Sequence, residues 1–377
     1  MSFIERLQQF PAQQVKERIL GSTPHDIDRA LNSRHVGIDN FYALLSPQIN
    51  DQQLEQLATR AHNITTQRFG RTIQLYAPLY LSNECHNGCR YCGFSADNHL
   101  NRKTLTDIEI DSEAQALHAE GFRHILLLTG EAPESAGIDY LENAIRRVRS
   151  LFGSMAIEVF PMDENGYRRM VTAGVDGLTL YQETYDPDLY AHLHPYGPKS
   201  DYLYRLGAPE RAGLAGFRRI GLGALLGLGD FATDSFYTGL HALYLAKRFW
   251  RSQVTIGFPR IRPAAGGYAP NVDVSDRQLT QLICALRLLL PDVGLVLSTR
   301  ESAALRNSLL PLGITQMSAG SSTAPGGYAS DDREGEQFAI SDHRSPEQFS
   351  QQLRAFGYEA VWKDWDSAFL NPADLPA

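Results

Sequence analysis

The sequence predicts a closed (β/α)8 barrel of the TIM type, with a helical extension before it and a second extension after it. Three observations support this fold class. Eight short β-rich runs alternate with helical stretches, a pattern typical of parallel strands joined by crossover helices. The helical stretches carry recognisable capping residues. The chain has 377 residues, of which 43% are hydrophobic, enough to bury one large core.

The eight predicted strands are spaced widely enough for a helix or a long loop between each pair. Eight such units imply closure into a barrel, in which catalytic groups gather at the carboxyl ends of the strands. The predicted strands span residues 73–81, 124–129, 156–160, 177–181, 220–226, 253–258, 294–298 and 316–319.

Capping residues predict where several of the intervening helices begin. Ser275 and Gln278 have the spacing of a capping box, and so do Ser345 and Gln348 in the C-terminal part of the chain. Asp111 is expected to cap the helix that follows the first strand.

The chain divides into three predicted parts. Residues 1–70 are mostly helical and polar and are expected to pack against the outside of the barrel, which spans residues 71–320. Residues 321–377 form a C-terminal extension that is rich in Gly, Ser and Asp before a helix and an aromatic run. The two tryptophans of that run, Trp362 and Trp365, are expected to seal the bottom or side of the barrel.

Composition excludes several classes of protein. The net charge of -8 argues against nucleic-acid binding, because polyanions are held by basic surfaces. No apolar run approaches the roughly 20 residues that a spanning helix needs, and the first 16 residues lack the pattern of a secretory signal. Four cysteines, three of them clustered, suit a reducing cytoplasm. We therefore expect a cytoplasmic protein with a small-molecule substrate and no membrane or nucleic-acid partner.

The chemistry is indicated by Cys85, Cys89 and Cys92, which form a C-x3-C-x2-C motif directly after the first predicted strand. Thiolates hold iron-sulfur clusters, and a cubane with three protein ligands leaves one iron open for another ligand. The position of the motif predicts a 4Fe-4S cluster at the barrel mouth.

A zinc knuckle, a disulfide pair and three buried core cysteines are the alternatives for this motif. A structural zinc site normally has four protein ligands, and no second pair of Cys or His completes one, since His86 lies between the ligands and is expected to point elsewhere. Three clustered cysteines cannot all pair. The fourth, Cys284, lies in an apolar stretch and is expected in a helix core.

Polar residues at other strand ends are candidates for ligand contacts. Gly130 and Glu131 follow the second strand and combine a close backbone approach with a carboxylate suited to an ammonium group. Glu183 ends the fourth strand, with a solvated loop carboxylate as the alternative. Arg205 lies on a predicted helix beyond it and could bind a carboxylate in two places, or be a surface arginine.

Arg300 emerges from the apolar seventh strand into the barrel mouth. Burying a guanidinium is costly unless an anion pairs with it, so a substrate carboxylate is the expected partner. An internal pair with Glu301 or Glu131 is the alternative. Arg260 and Arg262, in a basic turn after the sixth strand, face the same mouth.

The cysteine motif, with Tyr91 beside the last ligand, resembles that of the radical S-adenosylmethionine (SAM) superfamily. The resemblance implies that the open iron chelates SAM and that an electron from the cluster cleaves it to methionine and a 5'-deoxyadenosyl radical. It also implies that Gly130 and Glu131 bind the amino group of SAM and that Glu183 contacts SAM. Arg205 is the candidate for the SAM carboxylate.

Longer elements, in order along nearly the whole chain, resemble the 2-iminoacetate synthase family. They are Cys-His-Asn-Gly-Cys-Arg-Tyr-Cys-Gly-Phe, Tyr-Gln-Glu-Thr-Tyr-Asp, Ile-Gly-Leu-Gly-Ala-Leu-Leu-Gly-Leu, Phe-Pro-Arg-Ile-Arg-Pro, Leu-Ser-Thr-Arg-Glu and Val-Trp-Lys-Asp-Trp-Asp-Ser. The resemblance implies cleavage of the Cα–Cβ bond of L-tyrosine to p-cresol and 2-iminoacetate (dehydroglycine) for thiamine thiazole synthesis. Arg300, with Ser298, Arg260 and Arg262 beside it, would bind the substrate.

The same resemblance implies two protein partners, a thiazole synthase that consumes the product and a flavodoxin or ferredoxin-type electron donor. A tryptophan lyase remains an alternative, because Arg300 would bind any amino-acid carboxylate. A hydrogenase-maturation lyase would need a second cysteine cluster in the C-terminal extension, which contains no cysteine. A non-catalytic iron-sulfur carrier or a zinc scaffold would not need the Gly-Glu and Arg elements.

Overall fold

The structure, a computed structural model, describes residues 1–329 and 335–363. Eight parallel strands form a closed barrel in the order β1 to β8, in which β8 pairs with β1 and β1 pairs with β2. The strands are β1 Thr72–Ser82, β2 His124–Thr129, β3 Ser154–Glu158, β4 Gly177–Glu183, β5 Arg219–Ala224, β6 Gln253–Gly257, β7 Gly294–Leu297 and β8 Gln316–Ser318.

All eight predicted strands are confirmed, each with both ends within two residues of the prediction. A ninth strand, β9 (Glu359–Val361), was not predicted, and it pairs in parallel with the beginning of β1. Three residues without strong apolar alternation carry little sequence signal for a strand.

Sixteen α-helices surround the barrel or precede it within the described residues. They are α1 Phe3–Leu7, α2 Ala12–Leu20, α3 Pro24–Asn32, α4 Ile38–Leu44, α5 Asp51–Phe69, α6 Asp107–Ala119, α7 Pro133–Ala136, α8 Ile138–Val148, α9 Glu164–Ala173, α10 Pro187–Leu193, α11 Tyr202–Leu206, α12 Ala208–Ala215, α13 Phe231–Arg248, α14 Asp276–Leu289, α15 Ala303–Leu309 and α16 Pro346–Ala355.

The capping boxes predicted at Ser275 and Ser345 begin α14 and α16 and are confirmed. The cap predicted at Asp111 is wrong. Thr106 caps α6, where its hydroxyl accepts a hydrogen bond from the backbone N–H of Glu109. Asp111 lies inside the helix and forms an ion pair with Arg147.

The N-terminal helices pack against the outside of the barrel, as expected. Phe41 and Tyr42 of α4 stack on Phe236 of α13, with ring centroids 6.2 and 4.4 Å apart. The amide of Gln281 on α14 donates hydrogen bonds to the carbonyls of Leu44 and Ser46 at 2.8 and 2.9 Å. These contacts cover apolar surface of α13 and α14 on the side that faces away from the barrel.

The C-terminal extension meets the barrel at both ends. Trp362 lies edge-on to Phe122, just before β2, with centroids 5.4 Å apart, so its expected role at the bottom of the barrel is confirmed. Trp365 lies outside the described residues. At the other end, the backbone N–H groups of Ala339 and Ser341 donate to the carbonyls of Pro263 and Thr299. This segment therefore crosses the barrel mouth.

A polar cluster fills the opposite, amino-terminal end of the barrel interior, which we call the floor. Arg219 of β5 contacts His124 Nε2 at 3.1 Å and donates to the Ser154 hydroxyl at 2.6 Å. His124 Nε2 also contacts the Gln316 side-chain amide at 3.1 Å. The floor is thereby closed by polar side chains that bond to one another.

Candidate active site

The three motif cysteines lie on the loop that leaves β1 at the barrel mouth. Arg102 holds this loop, because its guanidinium donates to the carbonyls of Asn83, Phe94 and Ser95 at 2.7 to 2.9 Å. A register shift interrupts the pairing of β1 with β2 where the loop begins. Bulges of this kind often re-aim the chain beside active sites.

Gly130 lies directly beneath the cysteine loop. A Cβ atom at this position would come within 2.2 Å of the carbonyl oxygen of Glu84 and 3.0 Å of the Cβ of Cys85. Any side chain here would therefore displace Cys85, the first of the three predicted ligands. The predicted close approach at Gly130 is made to the loop, and its contact with SAM stays a prediction.

The thiols of Cys85, Cys89 and Cys92 are near enough to influence one another electrostatically. Burial raises the pKa of the Cys89 thiol to about 12; Lys199 opposes this rise, and the charges of Cys92 and Cys85 add to it. Burial is also the main cause that raises the pKa of Cys92. Such thiols ionise only beside a strong positive charge, and iron supplies one.

Three soft sulfur donors on one loop fit an iron-sulfur cluster. Within the described residues, no three His, Cys, Asp or Glu side chains are grouped closely enough to hold a metal ion. A cubane spreads its thiolates more widely than a single ion does, so this spacing is compatible with a cluster. His86 is exposed and faces Glu134, and Cys284 is buried in α14; both expectations are confirmed.

Glu131 accepts a hydrogen bond from the Asn87 side-chain amide at 2.8 Å. Asn87 is buried in the cysteine loop, and its side-chain oxygen Oδ1 accepts a hydrogen bond from the backbone N–H of Lys199 at 2.8 Å. Glu131 thus braces the loop in this structure. Its predicted contact with the SAM amino group would require it to face the open iron as well.

Glu183 has a backbone φ of 74° and is the one non-glycine residue with positive φ in the described part of the chain. This conformation costs about 1 to 3 kcal/mol and tends to occur at functional sites. A register shift between β4 and β5 falls at the same place. The strain aims the Glu183 carboxylate into the mouth of the barrel.

Two cations hold Glu183 there. Lys199 Nζ lies 2.7 Å and Arg205 Nη2 lies 3.4 Å from Glu183 Oε1. Burial pushes the pKa of Glu183 up, but Lys199 and Arg205 more than offset it, and the pKa is lowered overall. Glu183 is therefore ionised. Arg205 also donates to the carbonyl of Tyr181 at 2.8 Å, whereas Lys199 lines the adjoining cavity.

The cavity at the mouth opens to solvent, and it and its opening together hold about 960 Å³ of space free of protein atoms. It reaches from the cysteine loop to the end of β7. Its apolar wall includes Tyr76, Tyr80, Leu126, Leu128, Leu225 and Phe338. Its polar lining includes Tyr91, Cys92, Glu158, Lys199, Ser298 and Arg300.

Arg300 faces this cavity. Its guanidinium carbon lies 3.3 Å above the centre of the Phe338 ring. The one hydrogen bond that the guanidinium donates to a described residue is a long one, 3.5 Å to the carbonyl of Arg260. Among the described residues, no carboxylate forms an ion pair with Arg300. Burial lowers the pKa of Arg300, but an arginine stays charged. The charge is thus left for a ligand.

The proposed internal partner of Arg300, Glu301, is occupied by other groups. Its carboxylate accepts from Arg260 Nε at 3.0 Å and from Arg262 Nη2 at 2.6 Å. Arg260 also pairs with Asp276 at 2.8 Å. Arg262 lines the cavity, but Arg260 lies behind it. Substrate contact by either arginine stays a prediction.

Several cavity residues were not predicted from the sequence. Glu158 ends β3, and its side chain forms no hydrogen bond or ion pair with another described residue. Gln337 and Phe338 come from the segment that crosses the mouth, and Gln337 accepts a hydrogen bond from Tyr80 Oη at 2.7 Å. A single carboxylate within the otherwise apolar run 156–160 was a usable signal for Glu158, whereas the charged stretch around Gln337 gave no signal for a cavity residue.

The fold and the cysteine loop define an enzyme of the radical SAM class. Residues 79–234 match the Radical SAM superfamily model, and residues 257–359 match the Biotin and Thiamin Synthesis associated domain. The second match crosses the predicted boundary at residue 320. Superfamily membership brings a 4Fe-4S cluster and SAM as cofactors. The assignment of Cys85, Cys89 and Cys92 as the thiolate ligands stays a prediction.

Comparison with characterised relatives identifies the family within the radical SAM class. The chain is 45% identical to the 2-iminoacetate synthase of Salmonella typhimurium (strain LT2) and 46% identical to that of Escherichia coli (strain K12), with 97% of each chain covered. A crystal structure of the FeFe-hydrogenase maturase HydG from Carboxydothermus hydrogenoformans matches with a TM-score of 0.83 and 32% identity, over 96% of this chain and 82% of that one. The chain belongs to the 2-iminoacetate synthase family.

Proposed function

We propose that the protein cleaves the Cα–Cβ bond of L-tyrosine, releasing 2-iminoacetate and p-cresol. The observation that supports this most strongly is a charged Arg300 that pairs with no carboxylate of the described residues, in an aromatic-lined cavity beside the three predicted cluster ligands. An α-amino acid with an aromatic side chain fits such a cavity, because its carboxylate can pair with the guanidinium and its ring can pack against the aromatic wall.

When bound, the cluster and SAM supply a 5'-deoxyadenosyl radical, with methionine as co-product. The chain's own residues bind the substrate and orient it. Arg300 and Ser298 are proposed to hold the tyrosine carboxylate, and the apolar wall packs the phenol ring. The segment that crosses the mouth covers the bound substrate and keeps water away from the reacting atoms.

For SAM, we propose contacts from Tyr91, Glu131, Glu183 and Gly130, as the family resemblance implies. Arg205 was proposed for the SAM carboxylate, but Lys199 is the better candidate of the two. Lys199 lines the cavity beside Cys92, whereas the Arg205 guanidinium is directed at a backbone carbonyl and at Glu183. In both cases Glu183 orients the cation.

The proposed setting is thiamine thiazole synthesis in the cytoplasm. Within the described residues, no helix is long and apolar enough to cross a membrane. We propose a thiazole synthase as the acceptor of 2-iminoacetate, because an imine hydrolyses readily in water and benefits from direct transfer. A flavodoxin or ferredoxin-type protein is proposed as the one-electron donor.

The test is anaerobic incubation of the cluster-loaded protein with SAM, a reductant and each aromatic amino acid in turn. We expect p-cresol from tyrosine, with a matching amount of glyoxylate, the hydrolysis product of 2-iminoacetate. An aromatic product from tryptophan and none from tyrosine would favour the tryptophan alternative. Release of carbon monoxide in proportion to p-cresol would contradict a reaction that stops at the imine.

A further inference from the structure

Glu158 and Arg300 face the same cavity from β3 and from the end of β7, and neither forms an ion pair with another described residue. The other charged residues of the cavity lining are paired, since Lys199 binds Glu183 and Arg262 binds Glu301. A carboxyl group and a guanidinium that line one cavity without pairing with each other leave room between them for a ligand that carries both a positive and a negative charge.

A free α-amino acid is such a ligand. Its carboxylate and its ammonium are attached to one carbon, so two protein groups of opposite charge must approach that carbon from different sides. Arg300 is proposed above for the carboxylate. Glu158 is the carboxyl group of the cavity lining that is left for the ammonium.

We propose that Glu158 binds the ammonium group of the substrate and takes a proton from it during the reaction. This inference rests on the proposed function. It assigns a catalytic residue on β3 that the cysteine motif and the strand-end arginines do not indicate.

The chemistry of the product requires a proton acceptor at this nitrogen. The ammonium nitrogen of tyrosine carries three hydrogens, and the imine nitrogen of 2-iminoacetate carries one. In the simplest balance, one hydrogen leaves as an atom to the 5'-deoxyadenosyl radical and one leaves as a proton to Glu158. The hydroxybenzyl radical released by Cα–Cβ cleavage then takes one electron from the donor protein and one proton, which Glu158 can return, to give p-cresol.

The environment of Glu158 suits a group that both accepts and returns a proton. Burial raises its pKa to about 7, Glu183 adds to the rise, and Arg300, Arg205 and Lys199 oppose it. A group that titrates near the working pH can act in both directions. The other titratable groups that face it from the barrel wall are phenols, which stay protonated there because burial raises their pKa, namely Tyr76, Tyr80 and Tyr181.

The test separates the two charges of the substrate with two analogues. Tyramine keeps the ammonium and lacks the carboxylate, and 3-(4-hydroxyphenyl)propionate has the reverse. Binding of each is measured by anaerobic calorimetry on cluster-loaded protein with 5'-deoxyadenosine and methionine, so that no turnover is needed. In Glu158→Gln, we expect tyramine affinity to fall at least tenfold and propionate affinity to stay within about twofold.

The turnover arm uses the same variant. General acid–base catalysis contributes about 10²- to 10⁴-fold, so Glu158→Gln should lower kcat for tyrosine at least 100-fold. Wild-type kcat/KM should rise with pH through about 7 as Glu158 ionises, and this rise should disappear in the variant. Glu55→Gln, a change at an exposed position on α5, is the matched control and should behave as wild type.

Each outcome decides the proposal. Wild-type tyramine affinity together with wild-type kcat in Glu158→Gln would overturn it. Equal loss of both analogues would also overturn it, because Glu158 would then only shape the cavity. A wild-type protein that makes no p-cresol defeats the proposed function instead, and the binding arm still tests the contact between Glu158 and an ammonium.

Discussion

The two ends of the barrel interior differ in whether their polar side chains bond to one another. At the floor, Arg219, His124, Ser154 and Gln316 bond to one another. At the mouth, Arg300 and Glu158 face a cavity and pair with no other described residue. Leaving a buried charge unpaired costs free energy, so the difference identifies the end that is built for a ligand.

The floor also holds its histidine neutral. Burial, together with the positive charges of Arg219 and Arg218, lowers the pKa of His124 well below its usual value. A neutral imidazole both donates and accepts, which suits a closed hydrogen-bond network. The floor therefore stabilises the barrel without offering a charge to a ligand.

The largest expected effect is loss of the cluster. We expect it for a cysteine at the mouth and not for the cysteine elsewhere in the molecule. Cys89→Ala removes one of three thiolates, and we expect loss of the 4Fe-4S cluster and of all tyrosine cleavage. Iron analysis and EPR of the reconstituted variant measure this. Cys284→Ala is the control in α14 and should keep the cluster. Normal iron content in Cys89→Ala would refute the ligand assignment.

The next effect concerns Arg300, the cation at the mouth that pairs with no described carboxylate. Arg300→Ala should lose a charge-assisted contact worth about 2 to 4 kcal/mol, which corresponds to about 30- to 700-fold in kcat/KM for tyrosine. Arg300→Lys should recover little, because a point charge cannot reproduce the planar fork. Slow SAM cleavage without substrate is the internal reference. An unchanged affinity for tyrosine in Arg300→Ala would shift the anchor to Arg262 or Arg260.

The smallest expected effect on catalysis lies at the floor. Arg219→Gln leaves His124 and Ser154 short of a partner, which should lower the free energy of unfolding by about 1 to 3 kcal/mol. Urea unfolding followed by circular dichroism measures this loss. KM for tyrosine should stay within about twofold of wild type. A large rise in KM with unchanged stability would show that the floor is not merely structural.

The sequence predicted the barrel better than it predicted the cavity. Strands were recognisable because each is a short, β-rich run between breaks, and Cys85, Cys89 and Cys92 because their spacing is local. Asp111 was mistaken for a cap because an acidic residue near a helix start is equally suited to an ion pair.

The cavity was harder because its residues come together only in the fold. Gln337 and Phe338 reach the mouth by a chain crossing that leaves no local pattern. Arg205 was the cation predicted for the SAM carboxylate, and only the fold shows that Lys199 lines the cavity whereas Arg205 does not. The strained backbone of Glu183 is likewise a property of the β4–β5 register, which composition does not encode.

The central claim is that the mouth holds its charges for a free amino acid, and binding of L-tyrosine compared with L-tyrosinamide tests it most directly. The two molecules share a ring and an amino group and differ in the carboxylate. Anaerobic calorimetry on cluster-loaded protein with 5'-deoxyadenosine and methionine should show L-tyrosinamide binding at least tenfold more weakly than L-tyrosine. Equal affinities would contradict the account, because Arg300 would then not be held for the carboxylate of the substrate.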